Sequence, residues 1–204
     1  MFERLSATRK TGAEQFTQGD TALGFTVLDF WQWSSSDLVG NALRGHVAEF
    51  LVARALGADA GVRSEWEPYD VAAPSGLRIE VKSAAYLQSW AQRAESAISF
   101  DVRETLAWDA GTNAFAPESD RRRQADLYVF ALLAHRTKLT LNPLDVAQWE
   151  FYLLPAAVLN ESVEKQRRIS LSRLVALKAV RCAYADLKWK IDELERDRAG
   201  GTHG

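Results

Sequence analysis

One cysteine, one methionine and three histidines are spread over 204 residues. No apolar run approaches the roughly 20 residues that a membrane-spanning helix needs. Each shortage excludes a class of protein. With Cys182 alone there is neither a disulfide framework nor a cysteine zinc site, and His135 and His203 have no partner at metal-binding spacing. The first ten residues, Met1 to Lys10, lack the apolar core of a signal peptide, so a reducing, cytoplasmic setting is expected. Charge of one sign is also lacking. A net charge of −2 and a pI near 6.0 argue against a protein that coats nucleic acid nonspecifically, so any phosphate binding must come from a local basic patch. Arg121-Arg122-Arg123 and Lys165-Gln166-Arg167-Arg168 are the candidates, although each alone reads more simply as solvated loop charge. No zinc finger, helix-turn-helix signature or long basic arm is present.

What is there suits a folded protein, with 47% hydrophobic and 25% charged residues. Residues 1–23 read as a polar, loosely held arm, 24–198 as one domain and 199–204 as a flexible tail. Gly24 to Trp33 is apolar and aromatic, and Trp31, Trp33 and Trp149 are expected in the core. Ser34-Ser35-Ser36-Asp37 is helix-capping chemistry, predicting a helix from Leu38 to Leu56 that Gly57 ends. Its apolar positions cover most of the circumference, which predicts extensive burial. Strands are expected around Val62–Ala72, from Leu77 to Lys82, over Ile98–Glu104, Ala125–Leu133 and Trp149–Leu154. A short helix should follow Pro155, and Tyr184–Arg196 reads as amphipathic helix. Residues 83–95 are ambiguous, and 109–123 read as a long loop. This order predicts an α/β (α+β) fold with a mixed central sheet flanked by helices.

The chemistry concentrates between Asp70 and Lys82. Pro74-Ser75-Gly76 is turn chemistry, so Asp70 lies on a strand that pairs back against the next one. Strand alternation sends Leu77, Ile79 and Val81 to one face and Arg78, Glu80 and Lys82 to the other. Two carboxylates and an ammonium then meet at one end of a hairpin. Such charge alternation alone is what most half-exposed strands look like. Glu49 adds weight: mid-helix among apolar neighbours, its charge is costly unless paired or metal-bound. It shares a stripe with Ala42, Gly45, His46, Val52, Ala53 and Leu56. Gly45 weakens the helix and is easiest to explain by close approach to another backbone.

With these residues in view, the chain resembles the PD-(D/E)xK nuclease superfamily, the restriction-endonuclease-like fold. The resemblance covers roughly residues 36 to 135. It rests on Arg44-Gly45 and Ala48-Glu49 of the helix, Glu67-Pro68-Tyr69-Asp70, and Glu80-Val81-Lys82. The segment Phe30-Trp31-Gln32-Trp33 with Ser36-Asp37-Leu38 is similar to one in uncharacterised bacterial members. The proline lies two residues before the aspartate instead of adjacent to it. The resemblance implies that Glu49, Asp70 and Glu80 hold Mg²⁺, with Mn²⁺ as substitute, and that Lys82 orients or activates the attacking water. It also places Gln88 where members carry a glutamine. The implied activity is endonucleolytic hydrolysis, of DNA before RNA, in bacterial defence or DNA processing, with a homodimer as one arrangement. A noncatalytic module of the same fold, binding nucleic acid or a partner protein, is the rival reading. Tyr86, Gln88, Trp90 and Gln92 follow the strand where substrate would pass, and Arg44, His46 and Arg121 to Arg123 could contact phosphate. A packed, hydrogen-bonded role is the simpler one for His46, and a structural salt bridge for Asp126.

Overall fold

The alternation of Leu77, Ile79 and Val81 with Glu80 and Lys82 is realised on the strand next to one edge of a five-stranded sheet. A computed structural model describes residues 5–65, 67–109, 111–163 and 166–200. The chain opens with a hairpin, β1 (Gln15–Gln18) and β2 (Thr21–Thr26), followed by α1 (Val27–Ser34) and α2 (Asn41–Leu56). Then come β3 (Val71–Ala72), β4 (Arg78–Ala85), β5 (Ser99–Asp101), β6 (Trp108–Asp109) and β7 (Ala114–Phe115). The second half contributes β8 (Leu127–Leu133), β9 (Trp149–Pro155), α3 (Ala156–Val163), β10 (Arg168–Ser170), α4 (Leu171–Ala176), β11 (Val180–Cys182) and α5 (Leu187–Gly200).

The central sheet has the order β11-β9-β8-β4-β3. It is mixed: β4 and β8 run parallel, and the other neighbours antiparallel. Within it β8 is the most buried strand, as one covered on both faces must be. All seven residues of β8 are buried. One face carries Ile79, Val81, Val129, Leu133 and Phe151, and packs on Ala48, Leu51, Val52 and Leu56 of α2 and on Leu187 and Ile191 of α5. The other carries Tyr128, Phe130, Leu132 and Leu154, against Phe100 of β5, Ile169 of β10, Leu159 of α3 and Leu174 of α4. Full burial of one such side chain is worth roughly 1.5–3 kcal/mol, so the two cores fix β4 from both sides. This is the mixed α+β architecture, with a central sheet flanked by helices, that the pattern of elements predicts.

Several elements differ from expectation for identifiable reasons. The helix expected from Leu38 begins at Asn41, because the Asp37 side chain accepts the Gly40 N–H at 3.1 Å and holds a turn there. It ends as predicted, with Gly57 at φ 69°. Only one face of it is buried, through Arg44, Ala48, Leu51, Val52 and Leu56, while Phe50 stays 54% exposed. The strand expected over 62–72 shrinks to the two residues of β3. The expected arm and domain meet inside β2, and the aromatic segment after it is not core: Trp31 is 38% and Trp33 85% exposed, unlike buried Trp149. The loop expected over 109–123 overlaps the small β6–β7 hairpin. β10, α4 and β11 are short and were not legible as periodic runs. Lys165 of one basic patch, and His203 and the last four residues of the expected tail, lie outside the described residues.

Candidate active site

The hairpin turn works as its residues predict. Gly76 adopts φ 90° and its N–H donates to the Ala73 carbonyl at 2.8 Å, while the Asp70 N–H donates to the Ile79 carbonyl at 3.0 Å. Asp70 is thereby held beside β4, and its Oδ2 accepts the Val81 N–H at 2.7 Å. Among the described residues, β3 pairs with β4 only as far as Ile79. Beyond that point no strand of the described residues pairs with this edge of β4, and the Val81 N–H is taken by the Asp70 side chain. Glu80 and Lys82 project from this stretch and pair with each other, Nζ donating to Oε1.

Burial and the neighbouring charges of Glu80 and Glu49 push the Asp70 carboxyl up to about 7, against the pull of Lys82 and the Val81 N–H. Burial also works against the Lys82 ammonium, but attraction to Glu80 and Asp70 outweighs it and raises its pKa, so Lys82 stays charged. The result is a half-buried cluster in which carboxylates repel one another and a single lysine offsets part of the repulsion.

Glu49 approaches from α2 and lines the same cleft as Asp70, a cavity of about 540 Å³ whose wall also includes His46, Arg63 and Glu67. Its own charge is answered by Arg63, which grips it through Nε and, at 3.2 Å, through Nη2. Arg63 also feels Asp70 and Glu65, and the hydrogen bond to Glu49 raises its pKa. This arginine was missed in the sequence because it lies in an aperiodic segment. A second cleft of about 200 Å³ joins Asp70 and Glu80 to Glu65, Glu67, Trp108 and Phe115. A third, of about 430 Å³, begins at Lys82 and runs toward Arg44, Gln88 and Arg168. The cluster thus sits where three clefts meet along this edge of β4. Among the described residues, no group of three or more histidine, cysteine, aspartate or glutamate side chains is already gathered to hold a metal ion.

The outlying candidates separate by orientation. Arg44 and Gln88 are buried and bond each other, Nη1 to Oε1 at 3.1 Å, and Gln88 also donates to the Ala85 carbonyl at 3.0 Å and to Ser96. Both brace the turn after β4. His46 is exposed, unlike the packed histidine expected. Tyr86 is covered by the Arg136 guanidinium, 3.8 Å from its ring centre. Of the arginine triplet, Arg121 pairs with Glu118 and Arg122 reaches Gln124, whereas Arg123 is buried and donates to the Val102 carbonyl and to Asn160. The triplet is therefore not one continuous patch. Asp126 does form a structural salt bridge, with Arg78 and Arg198 as partners. Gly45 makes no close approach: a methyl group there would meet only Ser83 Oγ, at 3.9 Å.

Fold and site together define a mixed α+β protein with an acid-and-lysine cluster beside the edge of its central sheet. Residues 26–173 match the family described as bacteriophage T4 endonuclease IV, and the chain belongs to that family. The matched span contains Glu49, Asp70, Glu80 and Lys82, and leaves out β1, β11 and α5. No curated protein matches the chain.

Proposed function

We propose that this chain is a divalent-metal-dependent endonuclease hydrolysing phosphodiester bonds in DNA, with a site of the PD-(D/E)xK kind built from Asp70, Glu80 and Lys82 and flanked by Glu49. The observation that carries the reading is the placing of Asp70, Glu80 and Lys82 together on one hairpin, with Glu49 in the same cleft as Asp70, in a chain of an endonuclease family. A carboxyl in a cleft whose ionisation is opposed by burial and by neighbouring carboxylates is the kind of group that functional sites collect.

The donor set fits Mg²⁺ or Mn²⁺, since Asp70 and Glu80 offer hard carboxylate oxygens. Asp70 and Glu80 would hold the ion, which fits the habit of Mg²⁺ to take one or two carboxylates and leave its other positions to water and phosphate. Glu49 would join only on leaving Arg63. When bound, the ion supplies positive charge to the phosphoryl group and eases deprotonation of water. Lys82, a fixed cation on the same strand face as Glu80, holds a water or a nonbridging phosphate oxygen beside the carboxylates. The Val81 N–H locks the Asp70 rotamer, so the oxygens need little reordering when substrate arrives.

The test is cleavage of DNA and RNA substrates with Mg²⁺ or Mn²⁺ by wild type and Lys82→Ala. Loss of a preorganised electrostatic group predicts a fall in rate of about 10²–10³-fold. Equal rates in the two proteins would overturn the assigned mechanism. Absence of cleavage by either, with nucleic acid still bound, would leave the noncatalytic module as the reading.

A further inference from the structure

The cleft of about 430 Å³ beyond Lys82 differs in character from the acidic one beside Asp70. It lies between the start of α2, the second half of β4 and the β5–β10 pair. Its cations are Lys82, Arg44 and Arg168. Arg168 is exposed on β10 and donates through Nε (3.1 Å) and Nη2 (2.7 Å) to Ser99 Oγ on the neighbouring strand. Among the described residues no carboxylate pairs with it.

Arg44, at the back of the cleft, is 4% exposed and has only neutral partners: the Val39 carbonyl, Asn41 and Gln88. Its Nε is buried without any hydrogen-bond partner, and burial lowers its pKa. A buried guanidinium without a counterion is costly, and an anion in the adjoining cleft would offset that cost. The carboxylate on the wall, Asp101, is already engaged by Arg103. Trp90, 54% exposed, forms an aromatic rim.

We propose that this cleft seats the nucleotide next to the scissile phosphate, with its phosphate on Arg168 and Ser99, backed by the charge of Arg44, and its base or sugar against Trp90. The assignment rests on the nuclease reading and adds a direction to it: the strand crosses Lys82, leaving the acidic cleft for the basic one. Arg168 and Trp90 are then binding residues acting by different physics, one ionic and one by stacking.

Binding of short labelled DNA and RNA oligonucleotides, measured by fluorescence anisotropy in chelator across a salt series, tests this apart from catalysis. Arg168→Ala is expected to weaken binding about tenfold and to reduce the slope of log K against log salt by about 0.7–0.9, one phosphate contact. Arg168→Lys should keep the slope. Trp90→Ala should weaken binding and leave the slope unchanged. Unfolding curves establish that these exposed substitutions leave the fold intact. Wild-type affinity and slope in Arg168→Ala would overturn the proposal, as would absence of binding by wild type. If the Arg168 effect appears while no protein cleaves with Mg²⁺ or Mn²⁺, the groove stands and the catalytic reading falls.

Discussion

Replacing Asp70 with asparagine will make the metal-free protein more stable at neutral and alkaline pH while removing its activity. The new side chain has the same shape, and its oxygen can still accept the Val81 N–H, now donated to Oδ2 at 2.7 Å. What disappears is a buried charge facing Glu80 and Glu49. A carboxyl shifted from 3.8 to about 7 on folding is penalised, once ionised, by roughly 4 kcal/mol at about 1.4 kcal/mol per pH unit. The amide NH₂ needs a partner of its own, which leaves a net gain of about 2–3 kcal/mol. The sign follows from proton counting. Between pH 3.8 and about 7 the folded state holds a proton that the unfolded state has released, so stability falls as pH rises. Above that window the penalty is complete, and below it there is none. A protein of this size shifts its unfolding temperature by about 2–4 °C per kcal/mol, so Asp70→Asn should melt roughly 4–12 °C above wild type at about pH 8.5 in chelator, and roughly 2–8 °C below it near pH 4, where the charge penalty is nearly gone and the amide's cost of about 1–2 kcal/mol remains. Adding Mg²⁺ at about 100 times its Kd should return about 2.7 kcal/mol to wild type and nothing to the variant. A variant no more stable than wild type at alkaline pH, or one whose advantage grows on acidification, would refute the reasoning.

Two further substitutions probe the frame around the site. Gly45→Ala should stabilise α2 by about 0.5–1 kcal/mol, because the added methyl meets only Ser83 Oγ at 3.9 Å; a lowered melting temperature would mean that the helix needs the glycine. Asp126→Ala should cost about 2 kcal/mol in denaturant unfolding at pH 7, since it strips the bidentate contacts of Arg78, at 2.9 Å each, and that of Arg198 at 2.7 Å. Those arginines hold the Asp126 carboxyl far below the ordinary range, so its contribution is complete above pH 3.8 and is lost as acid protonates it. The gap between variant and wild type should therefore close in strong acid, and a gap that persists there would assign the cost to packing.

How far the sequence carried is a matter of the range over which each interaction acts. Asp70, Glu80 and Lys82 were legible because one turn and strand parity fix them within a single hairpin. β8 and the end of α2 at Gly57 were legible for the same reason, as a local apolar run and a local backbone requirement. Strand β3 was overestimated: residues 62–70 read as extended chain, but pairing needs a partner in register, and β4 offers one only at Arg78 and Ile79. Trp31 and Trp33 were misjudged because apolarity marks a residue as able to be buried, not as covered by anything. Arg44 and Gln88 show the converse, as polar side chains that are buried and bonded to each other along a cleft wall.

Glu49 exposes the same limit at the site itself. A charge on an apolar helix needs a partner or a metal, and the sequence alone admits both. The structure supplies a partner, Arg63, from a segment without periodicity, and that partner lies within the field of Asp70 as well. A pair of this kind is more than neutralisation. It keeps a third carboxylate beside Asp70 and Glu80 without adding its full repulsion to a cluster already strained by burial. Without Arg63, Glu49 would drive the Asp70 carboxyl further toward its protonated form, the form that cannot bind a cation. On the proposed reading the arginine is compatible with a metal site, because an ion and the guanidinium would serve the same carboxylates in turn beside a β3 that pairs with β4 only as far as Ile79.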